Sequence, residues 1–154
     1  MDESQRIRRQ LKLAYHGPAW HGPALGRILE GVAEPAASAH PLPGAHSIRE
    51  IVAHIAAWMR AAAQTIERNE YVFLQGEQDW PPARDAFEAS WKALLQDLER
   101  AQEQLSAAIR ALPEARLEET IPGREYTFYD LLHGVVQHNL YHAGQIALLK
   151  KAAR

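Results

Sequence analysis

The sequence predicts an all-α fold, and three observations lead to that prediction. Apolar residues recur at steps of three and four over long stretches, whereas strict alternation never lasts beyond a few residues. Capping signals precede the long stretches, and segments rich in proline or glycine separate them. The chain has 154 residues, of which 47% are hydrophobic. It is long enough to bury one core, so we expect a single domain over residues 1–154.

The first predicted helix is broken near its middle. Apolar residues follow helical spacing from Ile7 to Ala14, and Gly17 and Pro18 then interrupt the pattern, which resumes over residues 24–29. Residues 34–44 contain three prolines, each of which removes a backbone donor and restricts φ. We therefore expect an extended connection to the second helix.

The second helix begins with a capping box formed by Ser47 and Glu50, and should run to about Asn69. Its apolar stripe faces the core, and its arginines are expected to face water. The stripe consists of Ile51, Ile55, Trp58 and Ala62, and the arginines are Arg49, Arg60 and Arg68.

The third and fourth helices complete the predicted bundle. The third should begin at Pro81 and Pro82, since the first turn of a helix tolerates proline, and its apolar seam runs from Phe87 to Leu112. The fourth begins with a capping box of Thr127 and Asp130 and should reach about residue 150. A helix of roughly 25 residues spans about 37 Å. These lengths predict a four-helix bundle with a broken first helix.

Composition excludes several classes of function. The chain carries 17 Lys plus Arg against 19 Asp plus Glu, with a net charge of −2. No segment is basic enough to favour nucleic acid or an anionic membrane as a partner. The absence of cysteine excludes disulfides and thiolate ligands, so any metal must be held by histidine or carboxylate. The N-terminus lacks an apolar signal region and no apolar run approaches ~18 residues, so we expect a cytoplasmic protein.

Two histidines lie on the predicted core face of the fourth helix. At 100° per residue, His138 and His142 fall on one line with Val135, Gln145 and Leu149. A buried imidazole without a partner costs ~1–3 kcal/mol. The i, i+4 spacing stacks both rings on one face, where they could chelate one divalent ion.

His54 is the predicted third ligand, because it flanks the apolar stripe of the second helix. Three neutral histidines would leave zinc, nickel or a similar ion with an open coordination position, which is the pattern of catalytic sites. The alternative is that these are core histidines bonded to carbonyls or water. The other histidines lie in loops, where one of them could line a cavity, or on the far side of the fourth helix; they are His16, His21, His40, His46 and His133.

Other catalytic motifs are absent from the sequence. It contains no HExxH for a zinc protease and no ExxH for a carboxylate-bridged di-iron bundle. It also lacks the GxSxG of serine hydrolases and the glycine-rich patterns of nucleotide-binding loops. A metal site built from histidines is therefore the chemistry that the residues support.

Three segments resemble the DinB-like family. They are AWHGPAL at 19–25, PGAHSIREIVAHIAAW at 43–58 and LLHGVVQHNLYHAGQIALLKK at 131–151. The resemblance implies a four-helix bundle in which His54, His138 and His142 bind one divalent metal. Some members of the family are thiol-dependent transferases or isomerases, and members are frequently homodimers. The resemblance thus implies a small-molecule substrate, a low-molecular-weight thiol as a possible cofactor, and a dimer interface that an exposed Trp20 or Trp80 could serve.

Around the ion we expect groups that orient the ligands or contact the substrate: Gln145, Trp58, Tyr141, Asn139 and His21. Two functional hypotheses follow. One is a metal-dependent enzyme, of the thiol transferase or hydrolase type, in which the ion activates a thiol or water. The other is a non-catalytic metal-binding protein that acts in stress or through interaction with a partner.

Overall fold

The computed structural model describes residues 1–81 and 90–153, which form six α-helices and no β-strand. Short 3₁₀ turns cover Gly76–Gln78 and Glu114–Glu118. The predicted all-α fold is therefore confirmed. The helices are α1 (Glu3–His16), α2 (Leu25–Leu29), α3 (Glu34–Ser38), α4 (Ile48–Arg68), α5 (Trp91–Ala111) and α6 (Phe128–Ala152).

The predicted break in the first helix separates α1 from α2. Gly17 ends α1 with a φ of 76°, a left-handed conformation that favours glycine. Its amide donates to the Leu13 carbonyl oxygen at 2.9 Å. Gly26 lets α2 lie close to α1, since a Cβ there would stand 3.0 Å from the Tyr15 carbonyl oxygen. The two pieces thus pack together as one broken element.

Residues 34–44 are not extended throughout, because α3 forms at the start of the segment. Pro35 lies in the first turn of α3, where its missing amide has no acceptor to lose. The prediction that Arg49 faces water is also wrong: its side chain is 1% exposed, and its Nη2 donates to Glu34 Oε1 at 3.1 Å. The packing of α3 against α4 explains both corrections, because it covers Arg49 and supplies its carboxylate partner.

Capping boxes begin both helices that carry the candidate ligands, as predicted. Before α4, the Ser47 amide donates to Glu50 Oε2 at 2.7 Å and the Glu50 amide donates to Ser47 Oγ at 3.2 Å. Before α6, the Thr127 amide donates to Asp130 Oδ2 at 2.9 Å. These caps set the start of each helix, and hence the angular position of every later side chain.

The third long helix, α5, begins later than predicted. Pro81 is not helical, and Ser90 has extended backbone dihedrals (φ −56°, ψ 154°) while its hydroxyl accepts from the Ala93 amide. A helix that continues from Pro82 through Trp91 is therefore wrong, because Ser90 is not helical and caps the helix that begins at Trp91. Phe87, which the sequence predicts as part of the apolar seam, lies outside the described residues.

The core lies between the long helices, with α4 at its centre. The most extensive packing joins α4 to α5, and α4 also packs along α6. Ile55 and Met59 of α4, Leu98 and Leu105 of α5, and Phe128 of α6 are fully buried. Each contributes ~1.5–3 kcal/mol through burial of its side chain. This packing holds α4 beside α6, and in the described part of the chain no helix is long and apolar enough to cross a membrane.

Candidate metal centre

Three imidazole rings converge where α4 lies beside α6. The Nε2 atom of His138 is 3.0 Å from Nε2 of His54 and 3.1 Å from Nε2 of His142. One ligand atom from each ring lies within 4.8 Å of the others, so the group could hold one metal ion. Nitrogens bound tetrahedrally to zinc at 2.0–2.1 Å are about 3.3 Å apart, close to the two short separations. The structure thus brings the three predicted ligand residues together.

In two of these rings, the nitrogen that faces away from the group, Nδ1, has an oxygen as its hydrogen-bond partner. We call these Nδ1 atoms the outer nitrogens. Nδ1 of His54 donates to the Asp79 carbonyl oxygen at 2.7 Å, and Nδ1 of His142 donates to Gln145 Oε1 at 2.7 Å. Because these oxygens only accept, each ring carries its proton on Nδ1. The Nε2 lone pairs of both rings are therefore directed toward the centre of the group. The interaction with Gln145 agrees with the role predicted for that residue.

The His138 ring lies between the other two rings, and one of its two nitrogens has no hydrogen bond to the described residues. Its Nδ1 and the neighbouring Asn139 Oδ1 are buried without a hydrogen-bond partner among the described residues. Without a cation, Nε2 of His138 must donate a proton toward its neighbours, which leaves Nδ1 as a buried bare acceptor. A cation between the rings would accept all three Nε2 lone pairs, so the donor set fits a metal ion.

Electrostatics keep the three imidazoles neutral. Burial, together with the neighbouring His142 and His54 rings, lowers the pKa of His138 to about 4, and burial is the largest cause. Burial also lowers the pKa of His54 and of His142. At neutral pH all three rings are therefore in the unprotonated state that binds metal, without first having to lose a proton.

Sequence reasoning missed the loop that supports His54. Asp79 Oδ1 accepts from Trp58 Nε1 at 2.7 Å and lies 3.2 Å from Nδ1 of His54. The Trp80 ring stacks on His54 with centroids 3.9 Å apart, and on its other face stacks on His46 at 3.6 Å. Helical periodicity could not indicate these contacts, because a loop has no repeating face. The one sequence signal for these contacts is that Asp79 and Trp80 stand next to each other directly before Pro81.

Trp80 is less exposed than expected. Its ring is half-buried between two imidazoles, and its role at an interface stays a prediction. Trp20, by contrast, is 100% exposed. The homodimer itself stays a prediction.

A cavity of about 710 Å³ adjoins the three histidines. Its polar border includes Gln145 and Tyr141, and its apolar wall includes Ile51, Trp58 and Leu149. Tyr141 is 67% exposed and stands at the edge of this cavity. Among the described residues, the cavity gives a small molecule access to the histidine group.

Asn139 is buried on α6 and does not line the cavity. Its side chain lies close enough to His138 to influence the pKa of that ring, so its predicted role beside the ligands stays a prediction. His21 is exposed and borders a different groove, beside Trp20 and Val136. The break after α1 places His21 there, because the chain between α1 and α2 crosses another part of the α6 surface. Of the loop histidines, His46 lines the cavity, and His40 Nε2 contacts Glu50 Oε2 at 3.0 Å.

A family model agrees with this fold. The model of the DinB superfamily matches residues 20–146, a range that includes His54, His138 and His142. The chain belongs to the DinB superfamily. The resemblance of its three sequence motifs is thereby confirmed. Neither a curated protein nor a solved structure matches this DinB-superfamily chain significantly.

Proposed function

We propose that this DinB-superfamily protein binds one divalent metal ion through Nε2 of His54, His138 and His142 and acts as a metal-dependent enzyme. The observation that carries the proposal is the convergence of the three Nε2 atoms while two outer nitrogens donate to Asp79 and Gln145. Those outer hydrogen bonds hold the rings in the tautomer and orientation that a metal requires.

Zinc and nickel suit the proposed site best, because both accept several imidazole ligands. Three protein ligands leave a coordination position for a water, a thiol or a substrate, as in catalytic zinc sites. A bound ion would lower the pKa of that thiol or water and polarise an electrophile.

The chain's own residues would prepare this chemistry. The Asp79 carbonyl and the Gln145 amide orient two ligand rings, and Trp80 covers one face of His54 against water. Ile51 and Leu149 provide an apolar wall beside the histidines, and Tyr141 brings a hydroxyl to the cavity edge. We propose a low-molecular-weight thiol or water as the nucleophile and a small electrophilic molecule as the substrate.

The open cavity favours the enzyme over the non-catalytic alternative. An ion with a purely structural or regulatory role is usually enclosed by four protein ligands. Here the described residues bring three histidines together, and the cavity beside them has room for a ligand. A substrate can therefore reach the position where the reaction would take place.

Metal removal and reloading test the proposal. Protein stripped with a chelator and reloaded with zinc or nickel should bind one ion per chain, measured by elemental analysis. We then expect it to transfer glutathione or 2-mercaptoethanol to 1-chloro-2,4-dinitrobenzene, or to hydrolyse 4-nitrophenyl acetate. In the transfer, the thiol sulfur bonds to the ring carbon, chloride leaves, and the thiol proton passes to solvent.

Each outcome of this assay has a definite meaning. Turnover that requires reloading supports the enzyme. One ion per chain without turnover of any thiol or ester supports the non-catalytic alternative. Turnover that the chelator does not reduce, or failure to bind either metal, would contradict a catalytic metal.

Replacing Gln145 tests the support of His142. Gln145→Leu should weaken zinc affinity about 10- to 100-fold, because Nδ1 of His142 loses its acceptor. Gln145→Glu should retain or raise the affinity, since a carboxylate accepts the same hydrogen bond. Competition with a chromophoric chelator measures both. Gln137→Leu, at an exposed position of α6, is the matched control. Equal affinities for Gln145→Leu and Gln137→Leu would show that Gln145 does not act through His142.

A further inference from the structure

We infer that a second cavity, on the far side of Trp58, is an apolar subsite for the hydrocarbon or aryl part of the ligand. The inference rests on the proposed function, because the polar end of the same ligand would face the three histidines. Nothing in the family match assigns this cavity a role.

The position of the second cavity links it to the histidines. Its volume is about 360 Å³, and it lies along α6 beside Leu131, Gly134 and Val135. Trp58 and His138 border both this cavity and the larger one. A ligand bound at the free side of the histidines therefore has two directions in which to extend from His138. One leads along Leu149, and the other leads past Trp58 into the second cavity.

Gly134 determines the width of the second cavity. It lies one turn before His138 on the same face of α6. A Cβ at this position would meet no atom of the described residues within 4 Å, and the backbone there is ordinary helix. Glycine in a helix interior costs about 1 kcal/mol relative to alanine. Neither close packing nor a left-handed φ requires glycine here, and its missing side chain leaves the groove open.

The chemistry of the walls selects an uncharged apolar group. Leu131, Val135 and the Trp58 ring supply apolar surface, and Tyr126 also lines the cavity. Asp130 also borders the cavity, but its Oδ2 accepts from the Thr127 amide and hydroxyl at the helix cap. An apolar cavity of about 150 Å³ can hold benzene. The larger volume here suits a phenyl group or a chain of about six carbons.

A series of n-alkyl hydroxamates on the zinc-loaded protein tests the subsite. The hydroxamate is the metal-directed end, and the acyl chain is lengthened from two to eight carbons. We expect affinity, measured by calorimetry, to rise about fourfold for each buried methylene. Gly134→Leu should abolish this dependence on chain length and leave the affinity for acetohydroxamate unchanged. Gly144→Leu is the matched control, because Gly144 also lies on α6 with open space but lines neither cavity.

Gly134→Ala provides a second variant that the fold should accept readily. It should keep the dependence on chain length but reach its maximum affinity with a shorter chain. If Gly134→Leu and Gly144→Leu show the same dependence on chain length, the tail lies elsewhere and the subsite is wrong.

A measurement without metal separates failure of the subsite from failure of the proposed function. In chelator-treated protein, toluene should shift the NMR signal of the Trp58 indole N–H in wild type and Gly144→Leu, but not in Gly134→Leu. If zinc does not bind but this pattern appears, the subsite stands and the metal proposal fails. If zinc binds and the toluene shift is identical in all three proteins, the metal proposal stands and the subsite fails.

Discussion

His138→Ala should lower the affinity of the protein for zinc by at least about 100-fold. Losing a residue that only hydrogen-bonds a metal ligand costs about 10- to 100-fold in metal affinity, and losing the ligand itself should cost more. His138 Nε2 lies close to both other Nε2 atoms, so its removal leaves only two nitrogens to bind the ion. His54→Ala should have a comparable effect, because it removes the only ligand from α4. Together these variants distinguish a shared site from an isolated pair of histidines on α6.

His133→Ala is the control for this prediction. His133 lies on the same helix but outside the group of three histidines, and its Nε2 lies 3.9 Å from Glu3 Oε1. We expect the zinc content and zinc affinity of His133→Ala to match those of wild type, as measured by elemental analysis and chelator competition. Circular dichroism should show the same helical content in all variants. Unchanged metal content in both His138→Ala and His54→Ala would overturn the ligand assignment.

Acid should destabilise the metal-free protein between pH 7 and 5. The pKa of His138 falls from an ordinary 6.5 to about 4 in the folded protein, chiefly through burial. Below pH 6.5 the unfolded chain therefore binds a proton that the folded chain rejects, so stability decreases as pH falls. It decreases until the folded pKa is reached, and the total loss for this residue is on the order of 3 kcal/mol.

Thermal unfolding between pH 7 and 5 measures this loss. For a chain of this size, the full loss would lower Tm by roughly 6–12 °C, and much of the decrease should appear in this range. His54 and His142 add to the same slope because their pKa values are also lowered. The pKa of Glu50 and of Asp130 is lowered below its ordinary value, so these carboxylates titrate outside the range.

His138→Leu should flatten the pH dependence and raise the Tm of the metal-free protein at pH 5. The variant removes both the depressed pKa and a buried nitrogen that has no hydrogen-bond partner in the described part of the chain. Zinc-loaded wild type should lose its ion over the same pH range, since protons compete with the metal for Nε2. A wild-type Tm that is constant from pH 7 to 5, equal to that of His138→Leu, would contradict the burial of His138 as described.

Local chemistry explains why much of the fold could be predicted. A capping box involves residues three apart, so Ser47 with Glu50 and Thr127 with Asp130 located the starts of α4 and α6. The 3.6-residue period then placed His138 and His142 on one face. Where a longer-range contact decided the outcome, prediction failed. Arg49 is buried because α3 folds over it.

The amino-acid pattern alone was enough to predict the helical class, the break after α1, and the position of His138 and His142 on one face of α6. These depend on steps of one to four residues along a helix, where backbone geometry sets the spacing of side chains. Only the tertiary structure decided which residues contact the three imidazoles and how close the rings lie to one another. Asp79 and Trp80 reach His54 from a loop 25 residues away in sequence, and α4 against α6 sets the Nε2 separations. Such contacts arise from packing between distant segments, for which the sequence carries no regular spacing.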